Sequence, residues 1–356
     1  MTAVDRRVLH NGGVTDGYVN LHSDTQTRPT EAMRKAMAEA EVGDEQRFED
    51  PTVNALVDRV AALLGHESAV FLPSGTMCNE IGFRLHIRPG GDEALMDRTA
   101  HPLNFEAGGP AAMSGAVLTP LEGDRGVFTP EQVSAAVRPF DRYQPRTRLI
   151  SVEQTTNLGG GRVWPLDTVR GVLAAAAAHG LRTHLDGARL FNAVVASGVA
   201  AADWSRGFDT AWIDFSKGLG APFGAVLAGS VELIDEAWRY KQMLGGAMRQ
   251  AGIMAAGCLY ALDHHVERLA DDHANARRLA NGLAELPGVT LDPAAVETNI
   301  VIFEVPDAVV FATGVAAHGV DMSAMDSVKV RAVTHLDIDQ SDIDRSLIAA
   351  RKVLAG

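Results

Sequence analysis

The chain has 356 residues, 46% apolar and 22% charged, the proportions of a soluble globular protein with room for one large or two ordinary domains. A formal charge of −13 argues against nucleic acid or an anionic membrane as partner, and no apolar run reaches the length of a membrane span. The two cysteines, Cys78 and Cys258, are too few for a disulfide framework or a zinc site.

The opening "MTAVDRRVLHNGG" carries no signal-peptide core, so a cytoplasmic protein is expected. From about Glu67, short apolar runs alternate with stretches of helical period. "SAVFLPSG" reads as a strand entering a turn, followed by the helix "TMCNEIGFRLHI", where Cys78 is a small core residue. "RTRLISVEQ" is a second strand, and "PLDTVRGVLAAAAAHG" a helix capped near Asp167 and ended by Gly180. Strand "LRTHLD", helix "GARLFNAVVASG" and strand "FDTAWIDFS" follow. Such alternation predicts an α/β fold, a mostly parallel sheet covered on both faces. Near residue 250 the pattern changes to a long, broken helical region, two shorter strands, "NIVIFEV" and "VKVRAVTHL", and a last helix, "SDIDRSLIAARKVLA". This predicts a smaller C-terminal α+β domain.

Four strands are expected to end in polar or flexible residues facing one crevice: Ser74-Gly75-Thr76, Glu153 to Asn157, Asp186, and Lys217 in "DFSKGLGAPFG". Singly, each has an ordinary reading. Asp186 would cap the helix beginning at Gly187, Ser74-Gly75-Thr76 would be a cap and tight turn, and Lys217 a surface lysine. Together they fit the three handles of pyridoxal 5'-phosphate. A lysine shielded at a strand end is an amine nucleophile toward an aldehyde. An aspartate on a nearby strand end holds a protonated pyridine nitrogen. Gly75 and Thr76 at a helix N-terminus offer N–H groups to a phosphate. "SKGLGAPFG" is not a P-loop, and "GGGR" at Gly159 to Arg162 is not a dinucleotide fingerprint.

From about Leu21 to Leu336, "LHSDTQTRPT", "EDPTVNAL", "FLPSGTMCN", "AHPLNFEAGG", "HLDGARLFNA", "FSKGLGAPFG", "GGAMRQAGI" and "VRAVTHLD" occur in this order. In these motifs the chain resembles the low-specificity L-threonine aldolases, within the fold type I pyridoxal-phosphate enzymes. The resemblance implies a large domain at 23–252 around a mostly parallel seven-stranded sheet, a small domain at 253–356, and an N-terminal extension at 1–22. It implies that Lys217 links to the cofactor, that Asp186 pairs with the pyridinium nitrogen, and that His101 stacks on the ring and helps move protons. Gly75 and Thr76 would bind the phosphate, with Arg249 reaching it from a neighbouring subunit. Ser23, Arg189 and Arg331 would grip the substrate carboxylate, since a planar guanidinium binds a carboxylate at two points. Arg331 lies in the small domain, so closure would complete the site. The reaction implied is retro-aldol cleavage of L-threonine, L-allo-threonine or a relative to glycine and an aldehyde, by a homotetramer built as two dimers.

Four residues in three places depart from the family pattern. Thr156 in "EQTTNLGGG" stands where these aldolases carry a histidine near the substrate's β-hydroxyl, and a threonine is no base near neutral pH. Arg47 and Phe48 replace a Tyr-Gly pair in a loop bordering the active site, and His22 replaces an arginine. Either His101 or a water on Thr156 takes the proton, or the pocket is re-tuned, with Arg47 accepting a bulkier or anionic substrate. "TTNLGGGRVWPL" is also similar to the β-eliminating lyases, which would release ammonia. A non-enzymatic phosphate-binding module is the alternative from another class. His264, His265 and His273, spaced i, i+8 and i, i+9, make no compact metal pair.

Overall fold

The structure is a computed structural model that describes residues 18–355. Most of the expected extension at 1–22 therefore lies outside the described residues. What is described of it, β1 (Val19–Asn20), does not stand apart. It runs across to the C-terminal part of the chain.

Seven strands form the main sheet: β2 (Ser68–Leu72), β3 (Glu93–Asp97), β4 (Val117–Leu121), β5 (Thr147–Glu153), β6 (Arg182–Gly187), β7 (Thr210–Asp214) and β8 (Ala225–Gly229). Their order is β2-β8-β7-β6-β5-β3-β4, and β8 alone runs against the others. Every residue of β3, β7 and β8 is buried, as expected where helices cover both faces. Apolar clusters lie on both sides, one around Phe71, Ile150, Ile213 and Val226, the other around Val70, Cys78, Trp212 and Leu227.

Local sequence sets the element ends that frame the site. Ser74 caps helix Gly75–His86, its side chain accepting from Met77 N at 3.3 Å, so the helix starts directly beyond β2. Asp50 caps helix Pro51–Leu64, which carries proline in its first turn and ends on Gly65 in the left-handed region. Asp186 lies inside β6 and is no helix cap. Helix Leu190–Ser197 begins four residues later, with Arg189 at its cap position. The helix expected to be capped near Asp167 spans Leu166–Ala178, with Pro165 at the cap.

The C-terminal strands are β9 (Ile300–Glu304), β10 (Val320–Asp321), β11 (Ser323–Ala324) and β12 (Lys329–Val333). They form an antiparallel ribbon, β11-β12-β9, while β10 pairs in parallel with β1. Val19 and Leu21 join a core with Leu279, Phe303, Phe311 and Ile343. The long helical region breaks between Gly252–His264 and Leu269–Ala284. The first piece buries Ala255, Cys258 and Ala261 in the core of the large sheet, and the second buries Ala276, Leu279 and Leu283 in the small core.

Candidate active site

The carboxyl ends of β5, β6 and β7 meet a cavity of about 690 Å³ between the two bodies. Ser23, His101, Asn157, Arg189 and Lys217 line one side, with Lys329 and Arg331 of β12 on the other. A neighbouring cavity of about 470 Å³ shares Arg98, Thr99, Leu158 and Lys329 with it but is not lined by Lys217.

Lys217 follows β7 and is only 16% exposed at its side chain. Its ammonium pairs with Asp214 at the strand's end and stands 5.8 Å from the Trp212 ring centroid. Thr27 holds the Lys217 carbonyl at 2.8 Å. Trp212 packs under the start of helix Gly75–His86: a Cβ on Gly75 would stand 2.4 Å from Trp212 Cη2. Glycine is therefore required by the close approach. The free N–H groups of the helix's first turn open beside the same ring.

Asp186, fully buried, sits opposite Trp212 in the β6–β7 register. One carboxyl oxygen accepts from Ala188 N at 3.0 Å, the other from Asn79 Nδ2 at 2.9 Å. Asn79 is saturated: its Nδ2 also donates to Glu106 at 2.7 Å, and its Oδ1 accepts from Trp212 Nε1 at 2.8 Å and His184 Nε2 at 3.1 Å. Donor must face acceptor throughout, so His184 carries its proton on Nε2, and Thr210 donates to Nδ1 at 2.8 Å. Burial pushes His184 down to about 3, which keeps it neutral.

His101 opens the short helix His101–Asn104. Its backbone N–H donates to Glu153 at 2.7 Å, and Asn157 N donates to the other Glu153 oxygen at 2.6 Å, so one buried carboxyl ties both segments to β5. His101 Nδ1 lies 2.7 Å from Glu106 Oε1, and the Phe105 ring is tilted against the imidazole at 5.5 Å. Burial pulls the imidazole's pKa down, but the Glu106 hydrogen bond and the charges of Asp186 and Glu153 outweigh it, leaving His101 above its usual value.

Arg189 donates from Nε and Nη2 to Asp24 at 2.8 and 2.7 Å, leaving Nη1 for the cavity. Asn299 adds a bond to Asp24 at 3.1 Å. Burial opposes its charge, yet the Arg189 pair holds the Asp24 carboxyl well below the usual carboxylate range. Arg331 Nη1 donates to Asn157 at 2.8 Å, bridging the two bodies, while its buried Nε has no partner among the described residues. Burial and the nearby Arg189 charge lower its pKa, a field that favours an anion between the two guanidinium groups.

Lys217, Asp186, His101, Arg189, Arg331 and Ser23 thus converge, with Gly75 and Thr76 at the adjoining helix start. Three other expected residues do not reach the cavity. Thr156 lies behind its wall, 1% exposed, packed so closely that a Cβ on Gly159 would stand 2.3 Å from its Oγ1. Arg47 pairs with Glu49 at 2.9 Å, and Arg249 with Asp44 at 3.0 Å, both on the outer surface. Their segments are stitched together by the buried Glu45, which receives Lys241 Nζ and Met248 N. His265 and His273 are buried in separate hydrogen bonds to Leu219 O and Asn192. The sequence reading missed Asn79, Glu106, Asp24 and His184. His184 had a signal, since period-two alternation puts it on the same face as Asp186.

This arrangement defines a fold type I α/β enzyme, and a family model for beta-eliminating lyases matches residues 20–306. The chain belongs to that family. Within it, the chain groups with the low-specificity L-threonine aldolases. It is 38% identical over 343 residues to a probable low-specificity L-threonine aldolase 2 of Arabidopsis thaliana, covering 94% of this chain and 97% of that protein. It is equally 38% identical over 326 residues to a low specificity L-threonine aldolase of Escherichia coli strain K12, covering 91% of this chain and 96% of that one. A threonine aldolase structure from Leishmania major shares the fold at a TM-score of 0.81 and 20% identity, covering 94% of this chain and 99% of that one.

Proposed function

We propose that this protein is an aldehyde-lyase that uses pyridoxal 5'-phosphate to split L-threonine, L-allo-threonine or a related β-hydroxy-α-amino acid into glycine and an aldehyde. The observation that carries the reading is one cavity lined by a shielded lysine and two arginines from opposite bodies, with a rigidly held buried aspartate on the neighbouring strand. The cofactor fits the residues present: Lys217 for its aldehyde, Asp186 for its ring nitrogen, and the Gly75–Thr76 helix start for its phosphate. When bound, it draws electrons from the substrate's α-carbon into its ring.

The chain's own residues do the rest. Asp214 keeps the Lys217 amine oriented toward the cavity before substrate arrives. Asn79 fixes Asp186 so that its charge faces the ring position without reorganising. Arg331 and the free Nη1 of Arg189 take the substrate carboxylate, aided by Ser23, which fixes the α-carbon's orientation. His101 handles the β-hydroxyl proton, because it lines the cavity and, against its burial, the Glu106 hydrogen bond and the charges of Asp186 and Glu153 raise its pKa above the usual imidazole value. Thr156 contributes packing and makes no substrate contact.

Arg47 and Arg249 share one outer patch beside the loop that begins at Asp44, so they act on the site of a neighbouring copy, in a dimer at least and in a tetramer of two dimers by resemblance. Sedimentation should give a dimer or larger, and a monomer that retains activity would remove that role. Among the described residues no helix is long and apolar enough to cross a membrane, and we place the enzyme in the cytoplasm. Lys217→Ala should remove the visible absorbance of the bound cofactor and lower glycine release by at least about a thousandfold. Turnover near the wild-type rate would refute the reading.

A further inference from the structure

Helix Gly75–His86 buries an acid that the reading above leaves idle. Glu80 is 7% exposed, and neither of its carboxyl oxygens has a hydrogen-bond partner among the described residues. The same holds for Oε2 of Glu106. The other Glu106 oxygen accepts from Asn79 Nδ2 and lies at the same 2.7 Å from His101 Nδ1. Three buried carboxyl oxygens without a donor are costly if both groups are ionised. A single proton between the two carboxyl groups satisfies two of the three.

Room for this acid is built in. A Cβ on Gly109 would stand 1.8 Å from Glu80 Oε1, and Gly109 does not have the positive φ that would itself call for glycine. The glycine is needed for the space that the Glu80 carboxyl fills. Among the described residues, Glu106 is the charged group that acts on Glu80. Glu106 in turn faces His101 and Asp186, and His101 faces Glu106, Asp186 and Glu153. His184 of β6, against Gly82 of the same helix, is neutral. His86, at the helix's far end, is pushed down to about 4 by burial. On the outer side, Arg84 of this helix stacks over Tyr240 of helix Val231–Met243, and Lys241 of that helix is engaged with Glu45.

We propose that Glu80 and Glu106 form a buried acid pair holding one proton, with Glu80 donating to Glu106 Oε2, and that the pair is a positioning device for His101. The functional half of this rests on the role given to His101 above. In this state Glu106 carries the single negative charge and is surrounded by Asn79, His101 and Glu80. Burial and the Glu106 carboxylate push Glu80 up to about 8. Above that pH two carboxylates face each other, repel, and loosen Glu106 from His101 Nδ1. Stability has the matching sign. Between its ordinary 4.5 and about 8, Glu80 keeps a proton in the folded state that the unfolded chain has lost, so stability falls as pH rises through that window. Glu80→Gln replaces the proton with a permanent amide donor and removes the dependence.

The test uses the cofactor-loaded enzyme and two readouts. Infrared difference spectra across pH should show the C=O stretch of a protonated, buried carboxyl in the wild type. It should be lost as pH rises through about 8 and be absent from Glu80→Gln. The alkaline limb of kcat/KM, near 8 in the wild type, should move up by a pH unit or more in Glu80→Gln, while the acid limb stays. A wild type without a band lost near 8, or such a band that persists in Glu80→Gln, overturns the pair; a band lost at lower pH, as from Glu153, which burial pushes up to about 7, is common to both proteins. An alkaline limb that superimposes in the two proteins overturns its positioning role. If Glu80→Gln fails to fold, Gly109→Ala, which displaces the Glu80 carboxyl, should shift or remove the band; an unchanged band overturns the pair. The infrared readout is independent of which bond the enzyme breaks, so failure of the aldolase reading would be seen separately.

Discussion

At the level of single residues, the site is a set of charges held by partners behind them. Asp186 is held by Asn79, His101 by Glu106 and Glu153, and Arg189 by Asp24. Ser23, His101, Arg189, Lys217 and Arg331 were legible in the sequence because each sits in one of the ordered motifs. Their supports were not. Asn79 and Glu80 lie inside a helix, where a polar residue next to apolar ones reads as a solvent face. Helix Gly75–His86 is instead buried nearly all round, including Cys78, Asn79, Glu80, Ile81 and Phe83. A polar residue in such a helix must find an internal partner. Arg331 gives the prediction at this scale. Removing a charge-assisted hydrogen bond costs about 1.5–3 kcal/mol. Arg331→Ala should therefore raise KM for the amino acid about ten- to a hundredfold. Steady-state kinetics with unaltered cofactor absorbance check it, and an unchanged KM would place the carboxylate elsewhere.

At the level of elements, β2, β5, β6 and β7 were readable from apolar period alone, and β6 and β7 fall where "LRTHLD" and "FDTAWIDFS" put them, whereas β3, β4 and β8 were not read. Two further features were not readable. β1 crosses to the small body, because its two residues carry too little pattern to reveal a partner some three hundred positions away. The break between Gly252–His264 and Leu269–Ala284 was visible, but not which core each half joins. We therefore place the division between the bodies in that break, rather than at residue 252. The start of helix Gly75–His86 carries this scale's prediction. Gly75→Ala sets a methyl 2.4 Å from the Trp212 ring. Overpacking of this kind costs about 1–3 kcal/mol. Equilibrium dialysis should show pyridoxal phosphate bound about ten- to a hundredfold more weakly. Wild-type affinity would mean that this helix start is not the phosphate site.

At the level of the whole molecule, the site exists only because two bodies face each other. The large sheet brings Lys217, Asp186 and His101 to one edge, and β12 of the small body supplies Arg331, which reaches Asn157 across the gap. The sequence placed the fold and cofactor firmly, since eight ordered motifs span both bodies. It was less informative about assembly, because Arg47 and Arg249 have no task within their own chain's cavity. It left open whether His101, a water on Thr156 or a re-tuned pocket makes up for the family's histidine at Thr156. The structure places that side chain behind the cavity wall, while His101 lines the cavity. The most direct test of the account is the product balance from L-threonine and L-allo-threonine with the cofactor-loaded enzyme. Glycine and acetaldehyde should appear in equal amounts, without ammonia. Ammonia with 2-oxobutanoate, and no aldehyde, would contradict cleavage between the α- and β-carbons.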